Sequence, residues 1–146
     1  MRIQYNPIGI VNTPFKDLNS IPIQPSKAKG VEGTIDIFPE FSQGLKDLEN
    51  FSHIILLCHF HMTKKHNLIV TPSSHKKQRG LFATRSPNRP NPIGLSIVRL
   101  KQIKGNLLMI TDLDILNGTP LLDIKPYFGE YQDLASLKIG WMEKKI

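Results

Sequence analysis

The stretch Phe51 to Met62, FSHIILLCHFHM, constrains the fold more than any other part of the chain. Read with a period of two, it puts Ile54, Leu56, Cys58, Phe60 and Met62 on one face and His53, Ile55, Leu57, His59 and His61 on the other. Both faces carry apolar residues, so the pattern predicts a central strand covered on both sides. The longest unbroken apolar run, Ile54 to Cys58, is far short of the roughly 20 residues that span a bilayer as a helix.

Around this strand the chain reads as further strands with little helix. Ile3 to Val11 predicts a first strand, with Pro7 placing it near an edge or bulge. From Val31 the residues alternate, with Val31, Gly33, Ile35 and Ile37 on one side and Glu32, Thr34 and Asp36 on the other. Phe41, Leu45 and Leu48 fall at i, i+4 and i+7, the spacing of one face of a short helix. Ile93 to Ile103, a tight turn at Lys104-Gly105-Asn106, and Leu107 to Leu113 read as a hairpin, and Leu121 to Lys125 as a last strand. Lys16 to Lys29 is a proline-containing loop and Lys64 to Arg79 a polar, basic excursion. Roughly six strands with little helix argue for a mainly β, mostly antiparallel barrel or sandwich. A length of 146 residues fits one domain over residues 1–146, able to bury a core without disulfides. The single cysteine, Cys58, excludes an intrachain disulfide and reads as a core thiol in a reducing compartment. Without a signal-peptide pattern, the cytoplasm is the expected location.

Charge and loop chemistry narrow the functional classes. Lys and Arg number 19 against 12 Asp and Glu, a net charge of +7 that favours a polyanionic partner. Two basic clusters, Lys64-Lys65-His66 and His75-Lys76-Lys77-Gln78-Arg79, read either as solvated faces or as a surface for an RNA backbone. The loop within Gly80 to Leu100 sets Arg85, Asn88, Arg89 and Asn91 among Pro87, Pro90 and Pro92. Proline fixes its own φ and biases the residue before it, so this loop is pre-shaped. Its guanidinium groups suit planar recognition of an anion or base edge, although a solvated connection would have the same composition.

Other constellations leave their alternatives open. His59 and His61 have a spacing able to chelate a metal, or they are rim imidazoles that hydrogen-bond a ligand or backbone. His53 is about 20 Å up the strand at ~3.3 Å per residue, too far to join them. Asp112 and Asp114 read as a pair on one face, either acid and base or caps for the turn that follows, and Asp123 with Lys125 as a polar ladder. Neither G-x-G-x-x-G after a strand nor G-x-x-x-x-G-K-[ST] occurs, so the usual dinucleotide and phosphate cradles are missing.

Taken in order, Pro7-Ile8-Gly9, Thr13-Pro14-Phe15, Gly44-Leu45, Leu48-Glu49, Phe51-Ser52-His53-Ile54, Phe60-His61, GLFATRSPNRPNPIGL (Gly80 to Leu95), Asp114, Gly118-Thr119-Pro120 and Asp123-Ile124-Lys125-Pro126-Tyr127 form a recognisable set. The set resembles the TsaA/TrmO-like family of S-adenosylmethionine-dependent tRNA methyltransferases, over residue 7 to about residue 127. The resemblance implies a single-sheeted antiparallel β-barrel with short helical segments and S-adenosyl-L-methionine bound at a homodimer interface. It also implies methyl transfer to N6 of threonylcarbamoyladenosine at tRNA position 37, with no metal.

Carried over residue by residue, the resemblance assigns donor binding to Pro22, Ile23 and Gln24, to His61 and Met62, to Arg85 and Leu95, and to Asp114, Ile115, Leu116 and Asn117. Two positions depart from the family pattern. Ile23 replaces an arginine, so only its backbone carries over, and Asn117 replaces an aspartate. A base that takes the proton of a poorly nucleophilic ureido nitrogen would be His61, Asp114 or Tyr127. Arg85 or Arg89 would hold the substrate's threonyl carboxylate. Arg89, Lys76, Lys77 and Arg79 would face the RNA, in a chain without the C-terminal extension that some relatives use to hold tRNA. Two other readings are a non-catalytic RNA-binding barrel and a metal-dependent enzyme built on His59 and His61.

Overall fold

The computed structural model describes residues 1–22, 27–73, 75–129 and 135–145, apart from the side chains of 143–145. Its strands are β1 (Gly9–Asn12), β2 (Glu32–Ile37), β3 (His53–His59), β4 (Ile69–Val70), β5 (Arg79–Gly80), β6 (Ile93–Lys104), β7 (Leu107–Thr111) and β8 (Thr119–Pro126). Six of them close into one barrel in the order β1-β2-β7-β6-β3-β8. Every neighbouring pair is antiparallel. Closure selects the barrel over the sandwich and leaves the six strands without a free lateral edge.

β3 pairs with β6 on one side and β8 on the other, and in a closed barrel it is no more central than the other five strands. Ile54, Leu56 and Cys58 point into the barrel at 0%, 0% and 2% exposure, and join Val11, Ile35, Val98, Leu108, Ile110 and Leu121 in the core. Burying each Leu or Ile side chain there contributes about 1.5–3 kcal/mol. β2 keeps the predicted alternation, with Ile35 and Ile37 buried and Glu32 and Asp36 exposed.

Several boundaries differ from the sequence-based expectation. The first strand begins at Gly9, since residues 1–7 are exposed and pairing starts where the Ile8 N–H donates to Leu121 O at 2.7 Å. Pro7 has no N–H with which to extend it. The expected helix over Phe41 to Leu48 is two 3-10 segments, Pro39–Leu45 and Leu48–Asn50, separated by Asp47 at φ 68. Within Pro39–Leu45 the three-residue turn puts positions four apart on different faces, so Leu45 is buried while Phe41 stays exposed. The central strand stops at His59, and β7 stops at Thr111 because Asp112 has φ 70. β8 starts two residues earlier than read and continues to Pro126. The basic excursion holds a short hairpin of its own, β4 with β5.

Candidate active site

β3, β6 and the chain leaving β7 meet at one end of the barrel. β3 enters this mouth at His59, directly opposite Ile93, the first residue of β6. Beyond the strands, Phe60 N–H donates to Pro92 O at 2.7 Å, and Lys64 N–H donates to Asn88 Oδ1 at 2.8 Å. These bonds tie the loop carrying His61 and Met62 to the loop carrying Arg85. The Phe60 ring lies over Gly94, where a Cβ would fall 2.6 Å from its Cε1, so only glycine lets the ring close over β6.

The proline-rich loop is braced from within. Arg89 Nη1 donates to the carbonyls of Thr84 and Ser86, both at 3.0 Å, and its guanidinium carbon is 5.8 Å from the Phe82 ring centroid. Arg89, expected to face RNA, is therefore half-buried and engaged with its own loop, while Arg85 remains exposed. The fork of donors that suits one guanidinium to a ligand is used in the other to close the turn.

Residues 112–118 bring the third wall. Leu113 and Ile115 are buried at 0% and 5% and join the core, which leaves Asp114 between them exposed. Ser96 Oγ donates to Asp114 Oδ1 at 2.9 Å. Thr13 fastens the segment to β1: its hydroxyl donates to Ile115 O at 2.7 Å and its N–H to Asn117 Oδ1 at 2.9 Å. Thr119 Oγ1 donates to Leu116 O at 2.6 Å. Ile115 thus has a core side chain and an occupied carbonyl, and the Asn117 side-chain oxygen anchors the turn. The expected Asp112–Asp114 pair is not formed. Because Asp112 has positive φ the alternation breaks, and its Oδ1 accepts from Gly30 N–H at 2.7 Å, away from Ser96.

The other expected site residues divide by place. His61 and Met62 are exposed at the mouth, just past the end of β3. Leu95 and Ser96 alternate across β6, so Leu95 points to the outer face while Ser96 meets Asp114. Tyr127 lies at the opposite end of the barrel, its N–H donating to His53 O at 3.2 Å and its ring edge-on to His53 at 6.5 Å. The six-residue step from His53 to His59 is about 20 Å of strand, which sets Tyr127 apart from His61, while Asp114 is bonded to Ser96, the partner of Leu56 midway along β3. Pro22 is half-buried, and Ile23 and Gln24 lie outside the described residues. Lys76 and Lys77 are exposed, whereas Arg79 is half-buried with its guanidinium carbon 5.4 Å from the Trp141 ring centroid.

Asp123 and Lys125 form an ion pair at 2.9 Å within β8. Burial, and then the charge of Asp114, push the Cys58 thiol up to about 12, so it stays protonated beside the mouth. Among the described residues no group of three or more His, Cys, Asp or Glu side chains is placed to hold a metal ion. No helix among them is long and apolar enough to cross a membrane. Two cavities lie away from the mouth. One of about 560 Å³ is lined by Ile37, Phe41, Leu45, Leu48 and Ile124, and one of about 280 Å³ by Lys29, Arg99, Lys101 and Asp112. Sequence reasoning missed Ser96, Trp141 and the partner of Asn88. Ser96 and Asn88 sit close to or inside the recognised string, but their partners lie 18 and 24 residues away and no local period reveals the pairing.

Residues 10–133 match the family described as tRNA-methyltransferase O N-terminal domain. The chain is 57% identical over 146 residues to a Pyrococcus abyssi protein named probable S-adenosyl-L-methionine-binding protein, covering 100% of this chain and 79% of the relative. It is 36% identical over 150 residues to the tRNA (adenine(37)-N6)-methyltransferase of Escherichia coli K12, covering 96% of this chain and 64% of that enzyme. The crystal structure of TrmO from Pseudomonas aeruginosa superposes with a TM-score of 0.80 at 37% identity, over 96% of this chain and 62% of that one. The chain therefore spans less than two thirds of the Escherichia coli and Pseudomonas proteins. With its closed antiparallel barrel and the match over residues 10–133, the chain belongs to the tRNA-methyltransferase O family.

Proposed function

We propose that this protein transfers a methyl group from S-adenosyl-L-methionine to N6 of the adenosine at tRNA position 37, with threonylcarbamoyladenosine as the acceptor. The observation that supports the reading is the tying of the His61–Met62 loop to the Arg85 loop at the start of β6, with Asp114 bonded to Ser96 of the same strand. Those side chains fit the donor's chemistry. The exposed Arg85 fork suits a carboxylate, the exposed Asp114 carboxylate suits an ammonium or ribose hydroxyl, and Met62 offers an apolar, polarisable surface to a base.

Bound there, the donor supplies an electrophilic methyl: the nitrogen's lone pair forms the new C–N bond as the C–S bond breaks and its electron pair goes to sulfur. The protein's part is to hold the two reactants in line, by proximity and orientation. Of the three candidates His61, Asp114 and Tyr127, His61 or Asp114 receives in this reading the proton that the nitrogen loses, while the Tyr127 N–H donates to His53 O within the same chain. Ser96 holds the Asp114 carboxylate in one orientation.

The working unit is a cytoplasmic homodimer with the donor site near the interface. Ile93, Leu95 and Ile97 form an apolar row on the outer face of β6, at 43%, 64% and 45% exposure. Leu95 borders the mouth from outside, so a second copy over this row would complete a pocket that uses both Leu95 and Asp114. The basic excursion, with exposed Lys64, Lys65, Lys76 and Lys77, supports the tRNA backbone.

The test is mass spectrometry of nucleosides from tRNA carrying threonylcarbamoyladenosine, incubated with protein and S-adenosyl-L-methionine. One added methyl on the modified adenosine is expected from the wild-type chain and none from Arg85→Ala. Unmodified nucleosides with wild-type protein that binds the RNA would favour a non-catalytic RNA-binding barrel.

A further inference from the structure

The chain's single tryptophan, Trp141, joins two segments far apart in sequence. It lies in a 3-10 helix, Gly140–Lys145, and its indole N–H donates to Ala83 O at 2.9 Å across 58 residues. The His75 ring meets it edge-on at 4.8 Å and 89°, and the Arg79 guanidinium lies over it. Arg79 belongs to β5, so the indole touches both the basic excursion and the turn that leads into the proline-rich loop.

That turn, Leu81–Ala83, is held at one end by Leu81, which is 1% exposed; Phe82 beside it is 74% exposed. Thr84 follows, with its N–H and hydroxyl both donating to Leu81 O, and its own carbonyl accepts from Arg89. Arg85 thus sits between a brace on its C-terminal side, made by Arg89, and the Trp141 bond on its N-terminal side. A loop held at both ends loses less conformational freedom when it closes on a ligand.

We propose that Trp141 is a positioning residue for the Arg85 loop, and that the Gly140–Lys145 segment acts as a clamp setting the affinity for the methyl donor. This rests on the donor reading of the mouth. The ligand concerned is the carboxylate-bearing end of S-adenosyl-L-methionine or of its product. Trp141 itself touches neither.

The test measures the affinity of S-adenosylhomocysteine by calorimetry for the wild-type chain, Trp141→Phe, Trp141→Ala and Arg85→Ala, together with donor KM, kcat and thermal midpoint. Trp141→Phe keeps a ring against Arg79 and His75 but lacks the N–H donor. It should raise Kd and donor KM about fivefold, the worth of one neutral hydrogen bond. Trp141→Ala should raise them at least tenfold, with kcat at saturating donor within about twofold of wild type. Affinity unchanged in a folded Trp141→Phe, whatever happens to its thermal midpoint, overturns the clamp, because Trp141 would then only pin its own segment. Arg85→Ala separates the two ideas. If it binds as wild type, the donor reading of the mouth fails; if it loses binding while both tryptophan variants keep it, only the clamp fails. Because there is one tryptophan, its fluorescence also reports the clamp directly, and saturation with S-adenosylhomocysteine should shift the emission. A spectrum unmoved by ligand that calorimetry shows to be bound also counts against the clamp.

Discussion

At the scale of single residues, Cys58 shows how position sets chemistry. Burial, with Asp114 nearby, lifts its thiol from an ordinary 9.0 to about 12. The folded chain therefore keeps the proton that an unfolded chain would release above pH 9.0. The resulting stability is present in full below pH 9.0 and is lost as the pH rises from there through about 12. Denaturant midpoints of the wild type should fall over that window more steeply than those of Cys58→Ala. Iodoacetamide should label native Cys58 at neutral pH far more slowly than it labels the unfolded chain. Gly33 is a second case. A Cβ there would overlap the Leu113 side chain and stand 2.6 Å from Asn12 O. Since one of these neighbours is backbone, Gly33→Ala should cost about 1–3 kcal/mol in denaturant unfolding.

At the scale of elements, the mouth is made by loops, and hydrogen bonds between loops decide its shape. Asn88 accepts from Lys64 N–H, linking the segment after β3 to the segment before β6. Asn88→Ala removes that tie without opening the core, so the thermal midpoint should stay within a few degrees while donor KM rises about two- to tenfold in steady-state kinetics. The strand patterns around β2, β3 and the β6–β7 hairpin were readable because a period of two repeats within each segment. The 41–48 spacing fails because the chain there takes three-residue 3-10 turns and Asp47 adopts a left-handed backbone, neither of which the apolar spacing registers. Arg89 and Arg85 are four residues apart in one motif, and nothing in their identity says which braces the loop and which is free. Only the carbonyls of Thr84 and Ser86, brought into reach of Arg89 by the folded loop, decide it.

For the whole molecule, the barrel carries an apolar outer row on β6 and a basic excursion between β3 and β6. If the proposed dimer forms through this row, replacing Leu95 by Glu should leave the fold intact but give monomers where the wild type sediments as a dimer, with loss of donor binding, since a charge in an apolar interface lacks a partner. Lys76→Ala with Lys77→Ala should lower tRNA affinity and reduce the slope of log K against log salt by about two, one for each phosphate that a lysine no longer neutralises. By itself the sequence determined a mainly β chain, its central strand, its hairpin, and, through the FATRSPNRPNPIGL and DIKPY strings, the family and the loop that carries Arg85. Those features reside in local period and in contiguous motifs. The tertiary structure alone decided barrel closure, the parting of Asp112 from Asp114, the removal of Tyr127 to the far end, and the bond from Trp141 to Ala83. Each depends on strand register, a single backbone torsion or the meeting of distant segments, and the physics that fixes those acts only once the chain has folded.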